Sequence, residues 1–154
     1  MDALRLDRQP AGPEDAPARL RLGVVDRLVM AQTLLPAGLR LLVIRGHQAD
    51  PADAPHASGA AADLTLCTVE GAALWMGSAP LDTRSPRRHT AAPDVDPVAA
   101  ENRRHLRNAM TRAGFINYPA AWWHWSYGDG YWAWVRGARS AGYGPARPLG
   151  RRSG

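Results

Sequence analysis

Two histidines and one aspartate are the residues of this sequence whose types and spacing could do chemistry. His124 lies inside the densest aromatic run of the chain, residues 122–127, and His56 and Asp63 flank a turn of small residues. Two imidazoles and one carboxylate are a donor set that binds zinc and leaves a coordination position for a substrate. Spacing alone also allows a second interpretation, in which His124 is a core residue and the other two are neighbours by chance. A zinc site is therefore a hypothesis that the surrounding elements must support.

The pattern of apolar residues predicts the elements that must position these side chains. Helical spacing, short β-branched runs and turn residues together indicate an α+β domain, with helices packed on one side of a small antiparallel sheet. The predicted elements are a helix over 22–35, strands over 39–45, 61–68 and 73–76, a helix between Asp96 and Gly114, and strands over 122–127 and 131–135.

Turn signals separate these elements. Gly128, Asp129 and Gly130 join the last two predicted strands, which is the composition of a β-hairpin. Residues 46–55 and 77–95 are predicted loops, and Pro119 is expected to break any strand that precedes it. Asp129 is interpreted as a turn residue of the hairpin.

Composition places limits on the function. The 154 residues suffice for one domain, predicted over 19–145, between a disordered leader at 1–18 and a flexible basic tail at 146–154. The net charge is +5, but the arginines are scattered, so nucleic acid is not an expected partner. No apolar run reaches the roughly 20 residues that cross a bilayer, so a membrane is not an expected partner either. Cys67 is the single cysteine, which fits a cytoplasmic protein.

A family resemblance rests on the histidine and aspartate motifs. The pattern His56-x-x-Gly59-x-Ala61-x-Asp63, followed at a distance by Trp122-Trp123-His124, resembles the VanX-type zinc D-alanyl-D-alanine dipeptidases. The likeness extends over roughly residues 20–145 and implies a shortened form of that fold. It implies that His56, Asp63 and His124 bind Zn²⁺. It also places Asp82 where the family has an acidic residue that binds the free amino group of the substrate.

The departures from the family pattern concern the catalytic groups. Ala121 occupies the position of the glutamate that serves the family as general base, and alanine cannot accept a proton. Gln48 stands in place of the arginine that stabilises the tetrahedral intermediate. The segment between Gln48 and His56 is also much shorter than in the family. The resemblance therefore predicts a more open cleft that keeps its metal ligands and loses its base.

Other residues are candidates for the missing roles. His47 is a candidate proton relay, and Arg45 is a candidate substitute for the lost arginine. Trp122 has the same strand parity as His124 and is expected to line the substrate pocket with Ala121 and Gln48. The expected partner is a small-molecule or dipeptide-like substrate.

Three functions remain open at this point. The first is a zinc enzyme repurposed for Lewis-acid chemistry on a small amino-acid-derived substrate, for example in secondary metabolism. The second is a weak or inactivated D-alanyl-D-alanine dipeptidase. The third is a non-catalytic domain that binds zinc and a metabolite.

Overall fold

The computed structural model describes residues 19–48, 50 and 52–145, so the predicted leader and tail lie outside the described residues. Its centre is a four-stranded antiparallel sheet with the strand order β1-β2-β4-β3. The strands are β1 (Leu39–Arg45), β2 (Ala61–Thr68), β3 (Ile116–Tyr118) and β4 (Ala121–Ser126). The α-helices of the described part are α1 (Leu22–Thr33), α2 (Ala54–Ala57), α3 (Pro97–Arg112) and α4 (Gly130–Arg136), and a 3₁₀ turn spans Pro86–Arg88.

The hydrophobic core lies where α1 and α3 pack against the sheet. Each helix buries one apolar stripe, which includes Leu28 of α1 and Met110 of α3, and the two stripes meet the same cluster of strand residues. Helix α3 begins as its sequence predicts, because the Asp96 carboxylate accepts the Ala99 N–H at 3.0 Å. The structure thus confirms the predicted α+β architecture.

Strand β2 is buried on both faces. Ala62, Leu64 and Leu66 belong to the core cluster, whereas the alternating residues Asp63 and Thr65 are buried on the opposite face. Side chains alternate between the two faces of a strand, so Asp63 points away from α1 and α3. The second face of the sheet therefore carries the buried polar side chains of β2.

The predicted hairpin is wrong, because residues 131–135 form part of helix α4. The Asp129 carboxylate accepts the Trp132 N–H at 2.8 Å and so caps the helix, and it is not a hairpin turn residue. Gly128 has a φ of 80°, which redirects the chain before the cap, and Gly137 ends the helix with a φ of 63°. Capping at both ends outweighs the β-propensity of Tyr131 and its aromatic neighbours.

Smaller departures from the prediction have local causes. Residues 73–76 form only an isolated bridge, which joins Cys67 to Ala73. Helix α2 begins within the predicted loop 46–55, with Pro55 in its first turn. Strand β3 was not predicted, and it ends at Tyr118, immediately before Pro119. Among the described residues, no helix is both long and apolar enough to span a bilayer.

Candidate metal site

Asp63 lies at the centre of a row of three residues that crosses the sheet. Arg45 of β1 pairs with Asp63 on one side, and His124 of β4 pairs with it on the other. Paired residues of antiparallel strands project their side chains on the same face. The row therefore holds a guanidinium, a carboxylate and an imidazole next to one another.

His56 reaches the same place from helix α2, because a tight turn folds α2 back onto β2. Gly59 ends the helix with a φ of 69°, and its N–H donates to the His56 carbonyl at 3.0 Å. Ser58 closes the turn, since its hydroxyl donates to the Pro55 carbonyl at 2.6 Å and accepts the Ala60 N–H at 3.0 Å. The small residues of this turn do bring His56 and Asp63 together.

The three candidate ligands form a compact cluster. His124 Nδ1 lies 2.8 Å from Asp63 Oδ1, and His56 Nε2 lies 3.2 Å from Asp63 Oδ2. One donor atom from each residue falls within 4.8 Å of the other two. His56 and Asp63 have no exposed surface, whereas 13% of the His124 side chain is exposed. Access to the ligands is therefore on the side of His124.

The state of His56 fits a bound cation. Its Nδ1 lies 2.8 Å from the Gly46 carbonyl, which assigns the ring proton to Nδ1 and leaves a lone pair on Nε2. Nε2 is buried and has no hydrogen-bond partner among the described residues, although Asp63 Oδ2 is 3.2 Å away. In the neutral ring these are two acceptor atoms, which repel each other unless a cation lies between them, whereas a protonated ring would pair with Asp63 directly. A backbone carbonyl that orients a histidine is also the usual support of a zinc ligand.

Electrostatics keep Asp63 ionised. Burial alone would raise the pKa of its carboxyl, but hydrogen bonds and electrostatic interactions with His124 and His56 outweigh burial and hold the pKa well below its usual range. Arg45 adds a third contact, with Nε 2.7 Å from Asp63 Oδ2. The Nη1 of Arg45 also lies 3.2 Å from Asp53 Oδ2. Asp63 is thus an anionic donor at neutral pH.

Asn117 supports the backbone of β4 around His124, a role that the sequence did not predict. Its Nδ2 lies within hydrogen-bonding distance of three carbonyls of β4, those of Ala121 (3.2 Å), Trp122 (3.4 Å) and His124 (3.0 Å). The register between β3 and β4 shifts at Asn117 and Tyr118, so the amide fills the irregular part of the ladder. The sequence signal for this role of Asn117 is an amide side chain between the apolar residues of a short strand.

The candidates on the β1–α2 connection are held by backbone hydrogen bonds. The Gln48 N–H donates to the carbonyl of His56 at 3.3 Å, and the His47 N–H donates to the carbonyl of Arg19 at 2.7 Å. Ala121 is half-buried at the start of β4, three positions before His124. The roles predicted for His47 as a proton relay, and for Gln48 and Ala121 in the substrate pocket, remain predictions.

Asp82 and Trp122 make their described contacts elsewhere. Asp82 accepts the Arg84 N–H at 3.1 Å within the long loop 77–95. The Trp122 indole is buried, donates to Ser78 Oγ at 3.0 Å and lies under the guanidinium of Arg103. Their predicted roles in substrate binding remain predictions.

Comparisons with known proteins match the part of the chain that holds the cluster. A sequence profile described as D-ala-D-ala dipeptidase matches residues 43–135. A D-alanyl-D-alanine dipeptidase of Synechocystis sp. is 40% identical over 91 residues, which are 52% of this chain and 36% of the relative. Those of Streptomyces coelicolor and Escherichia coli are 43% and 41% identical over 74 and 69 residues, 46% and 45% of this chain and 35% of each relative. The aligned part of the chain therefore spans about a third of the length of these relatives.

Proposed function

Because the chain belongs to the D-ala-D-ala dipeptidase family, we propose that His56, Asp63 and His124 hold a zinc ion that acts on a small amino-acid-derived substrate. The convergence of the three donors, with His56 Nε2 buried 3.2 Å from Asp63 Oδ2, is the observation that carries the proposal. When bound, zinc supplies Lewis acidity, which polarises a carbonyl group and lowers the pKa of water. Substrate binding, proton transfer and any further charge stabilisation must come from side chains of this protein.

The described side chains favour a reaction other than efficient peptide hydrolysis. Ala121 stands where the family pattern has its general base, and losing general acid–base help typically costs about 10²–10⁴-fold in rate. Gln48 stands where the pattern has an oxyanion-stabilising arginine, a loss of about 10²–10³-fold. A reaction that needs only carbonyl polarisation avoids both losses. We therefore place this domain among zinc enzymes with a changed substrate.

Arg45 is the group best placed to replace the missing cation. Its guanidinium contacts Asp63, yet 38% of the side chain is exposed, so part of the side chain is accessible to solvent. Arginine has five N–H donors, and within the described part of the chain Asp63 contacts its Nε and Asp53 its Nη1. In this proposal Arg45 stabilises negative charge on the substrate, His47 relays a proton, and Asp82 binds an amino group.

A second candidate function is weak D-alanyl-D-alanine dipeptidase activity. Three relatives that carry this name are 40–43% identical to the chain over 69–91 aligned residues, which supports a similar substrate. In that case the ligands and pocket are retained, and only the rate of hydrolysis is reduced. The two functions differ in what a restored glutamate would do.

The test is D-Ala-D-Ala hydrolysis by the zinc-loaded full chain before and after Ala121→Glu. Ala120→Glu is a matched control. Ala120 is the neighbouring half-buried alanine, so this substitution introduces the same charge one position away. We expect Ala121→Glu to raise hydrolysis by less than about tenfold, since the remaining pocket is built for another substrate.

A gain of about 10² or more that is specific to Ala121→Glu would instead identify a silenced dipeptidase. Gln48→Arg in the Ala121→Glu background extends the test, because a silenced dipeptidase would gain again from the second restored group. Absence of zinc binding by the wild type would contradict both functions.

A further inference from the structure

Three aromatic rings form a continuous row that starts at the exposed candidate ligand. The Tyr118 ring lies 6.1 Å from the His124 ring, Tyr131 lies 5.7 Å from Tyr118, and Trp134 lies 6.1 Å from Tyr131, measured between ring centroids. We call Tyr118, Tyr131 and Trp134 the aromatic strip. It runs from the metal site onto the surface of α4.

The strip exists because residues 131–135 are helical. Residues three positions apart lie on the same side of a helix, so Tyr131 and Trp134 face the same way and extend the ring of Tyr118. In a strand, positions 131 and 134 would project to opposite faces. The β3–β4 irregularity places Tyr118 beside His124 at the other end of the strip.

The strip exposes apolar surface that the fold does not use for its own core. Trp134 is 78% exposed and Tyr118 is 47% exposed, and neither belongs to the buried cluster. Single exposed apolar residues are common, but a contiguous exposed patch usually marks a binding surface. Tryptophan and tyrosine are also the residues that bind planar groups with the least loss of side-chain entropy.

The position of the strip indicates what it binds. His56 and Asp63 have no exposed surface, whereas His124 is partly exposed and its ring lies 6.1 Å from that of Tyr118, so a molecule bound at the exposed edge of His124 lies next to Tyr118. Any group attached to that molecule and directed toward α4 would lie along Tyr131 and Trp134. The strip is continuous with the metal site, which distinguishes it from an unrelated docking surface.

We infer that the aromatic strip is a substrate subsite for a planar aromatic or large apolar group, attached to the part of the substrate that the metal holds. This inference rests on the proposed function, because it needs a metal at the three ligands. It goes further by naming the chemical class of the substrate: an amino-acid derivative with an aromatic side group, which is much larger than the methyl group of alanine.

The experiment compares two hydroxamates on the zinc-loaded full chain by isothermal titration calorimetry. Acetohydroxamate carries the metal-binding group alone, and 4-phenylbenzohydroxamate adds two rings that can reach along the strip. An aromatic contact is worth about 0.5–1.5 kcal/mol, which corresponds to about 2- to 12-fold in Kd. We expect the biphenyl compound to bind at least about fivefold more tightly than acetohydroxamate.

Variants locate the gain in affinity. Trp134→Ala and Tyr118→Leu should each reduce it by about 2- to 12-fold. Trp134→Ala should also leave the Kd of acetohydroxamate unchanged, because Trp134 is the strip residue farthest along the row from His124. Trp75→Ala is the matched control, because Trp75 is also exposed but contacts the start of α3 through Asp96. It should change neither Kd. Both strip residues are largely exposed, so folding of the variants is expected and can be verified by thermal unfolding.

The failures are distinguishable. If neither hydroxamate binds, the metal site fails and the proposed function fails with it. If acetohydroxamate binds and the biphenyl compound binds no more tightly, only the subsite is refuted. A biphenyl gain that survives both strip variants also refutes it. Sedimentation showing a wild-type dimer that Trp134→Ala converts to a monomer would assign the strip to a second copy of the chain, against the inference.

Discussion

Replacement of Asp63 by asparagine should remove the zinc-dependent stabilisation of this fold. Asp63 is the only anionic member of the candidate ligand set, it has no exposed surface, and both of its oxygens lie within 3.2 Å of ligand nitrogens. Asparagine keeps the shape of the side chain and removes the charge. The substitution therefore separates the effect of the anionic donor from that of side-chain volume.

The expected magnitude follows from linkage between binding and folding. A ligand that binds only the folded state at 100 times its Kd raises the free energy of unfolding by about 2.7 kcal/mol. For a domain of this size, that gain raises the unfolding temperature by roughly 10 °C. His56 Nε2 is one source of this gain, because it is a buried donor atom of the candidate ligand set.

The assay is thermal unfolding followed by circular dichroism, with excess zinc and with a chelator. The wild type should show the full zinc-dependent rise in unfolding temperature, and Asp63→Asn should show less than about a third of that rise. Asp53→Asn is the matched control, because Asp53 also contacts Arg45 but is not a candidate ligand, and it should keep the full shift. A full zinc shift in Asp63→Asn would refute the ligand assignment.

Three further substitutions test the elements that support the site. Asp129→Ala removes the cap of α4 and should lower the free energy of unfolding by about 1 kcal/mol in urea titrations, whereas an unchanged midpoint would contradict the capping role. Gly128→Ala should lower the free energy of unfolding by about 1–2 kcal/mol or more, because the residue has a φ of 80° and the new Cβ would lie 2.8 Å from Tyr143. A variant as stable as the wild type would be inconsistent with that geometry. Asn117→Ala should weaken zinc binding by about 10- to 100-fold, because Asn117 holds the backbone of β4 around His124. The Kd for zinc is measured in competition with a chromogenic chelator. An unchanged Kd would show that Asn117 does not position His124.

The sequence predicts the core elements because their signals are local. Asp96 followed by Pro97 marks the start of α3, and the β-branched run over 39–45 marks β1. Helix α4 was mistaken for a strand because aromatic residues favour strands on average, whereas the Asp129 cap is decided by the conformation of Gly128 before it. The sequence carries both signals, and their relative strength depends on tertiary packing.

The candidate ligands were predictable because residue types and the family resemblance name them directly. The residues that support these ligands were not predictable, because their contacts depend on strand register. Arg45 contacts Asp63 only because β1 and β2 pair in the observed register, and Asn117 reaches three carbonyls only because β3 and β4 shift at that point. The aromatic strip likewise requires that Trp134 lie on a helix. A single sequence does not specify these cross-element distances.

The zinc content of the purified full chain, measured by inductively coupled plasma mass spectrometry, tests the central claim most directly. After equilibration with zinc and removal of the excess by gel filtration, the wild type should retain close to one zinc per chain. His124→Ala should retain almost none, while His105→Ala, which removes a histidine of α3 that contacts Glu101, should match the wild type. A wild type without zinc, or a His124→Ala variant that retains as much as the wild type, would contradict the claim that His56, Asp63 and His124 form the metal site.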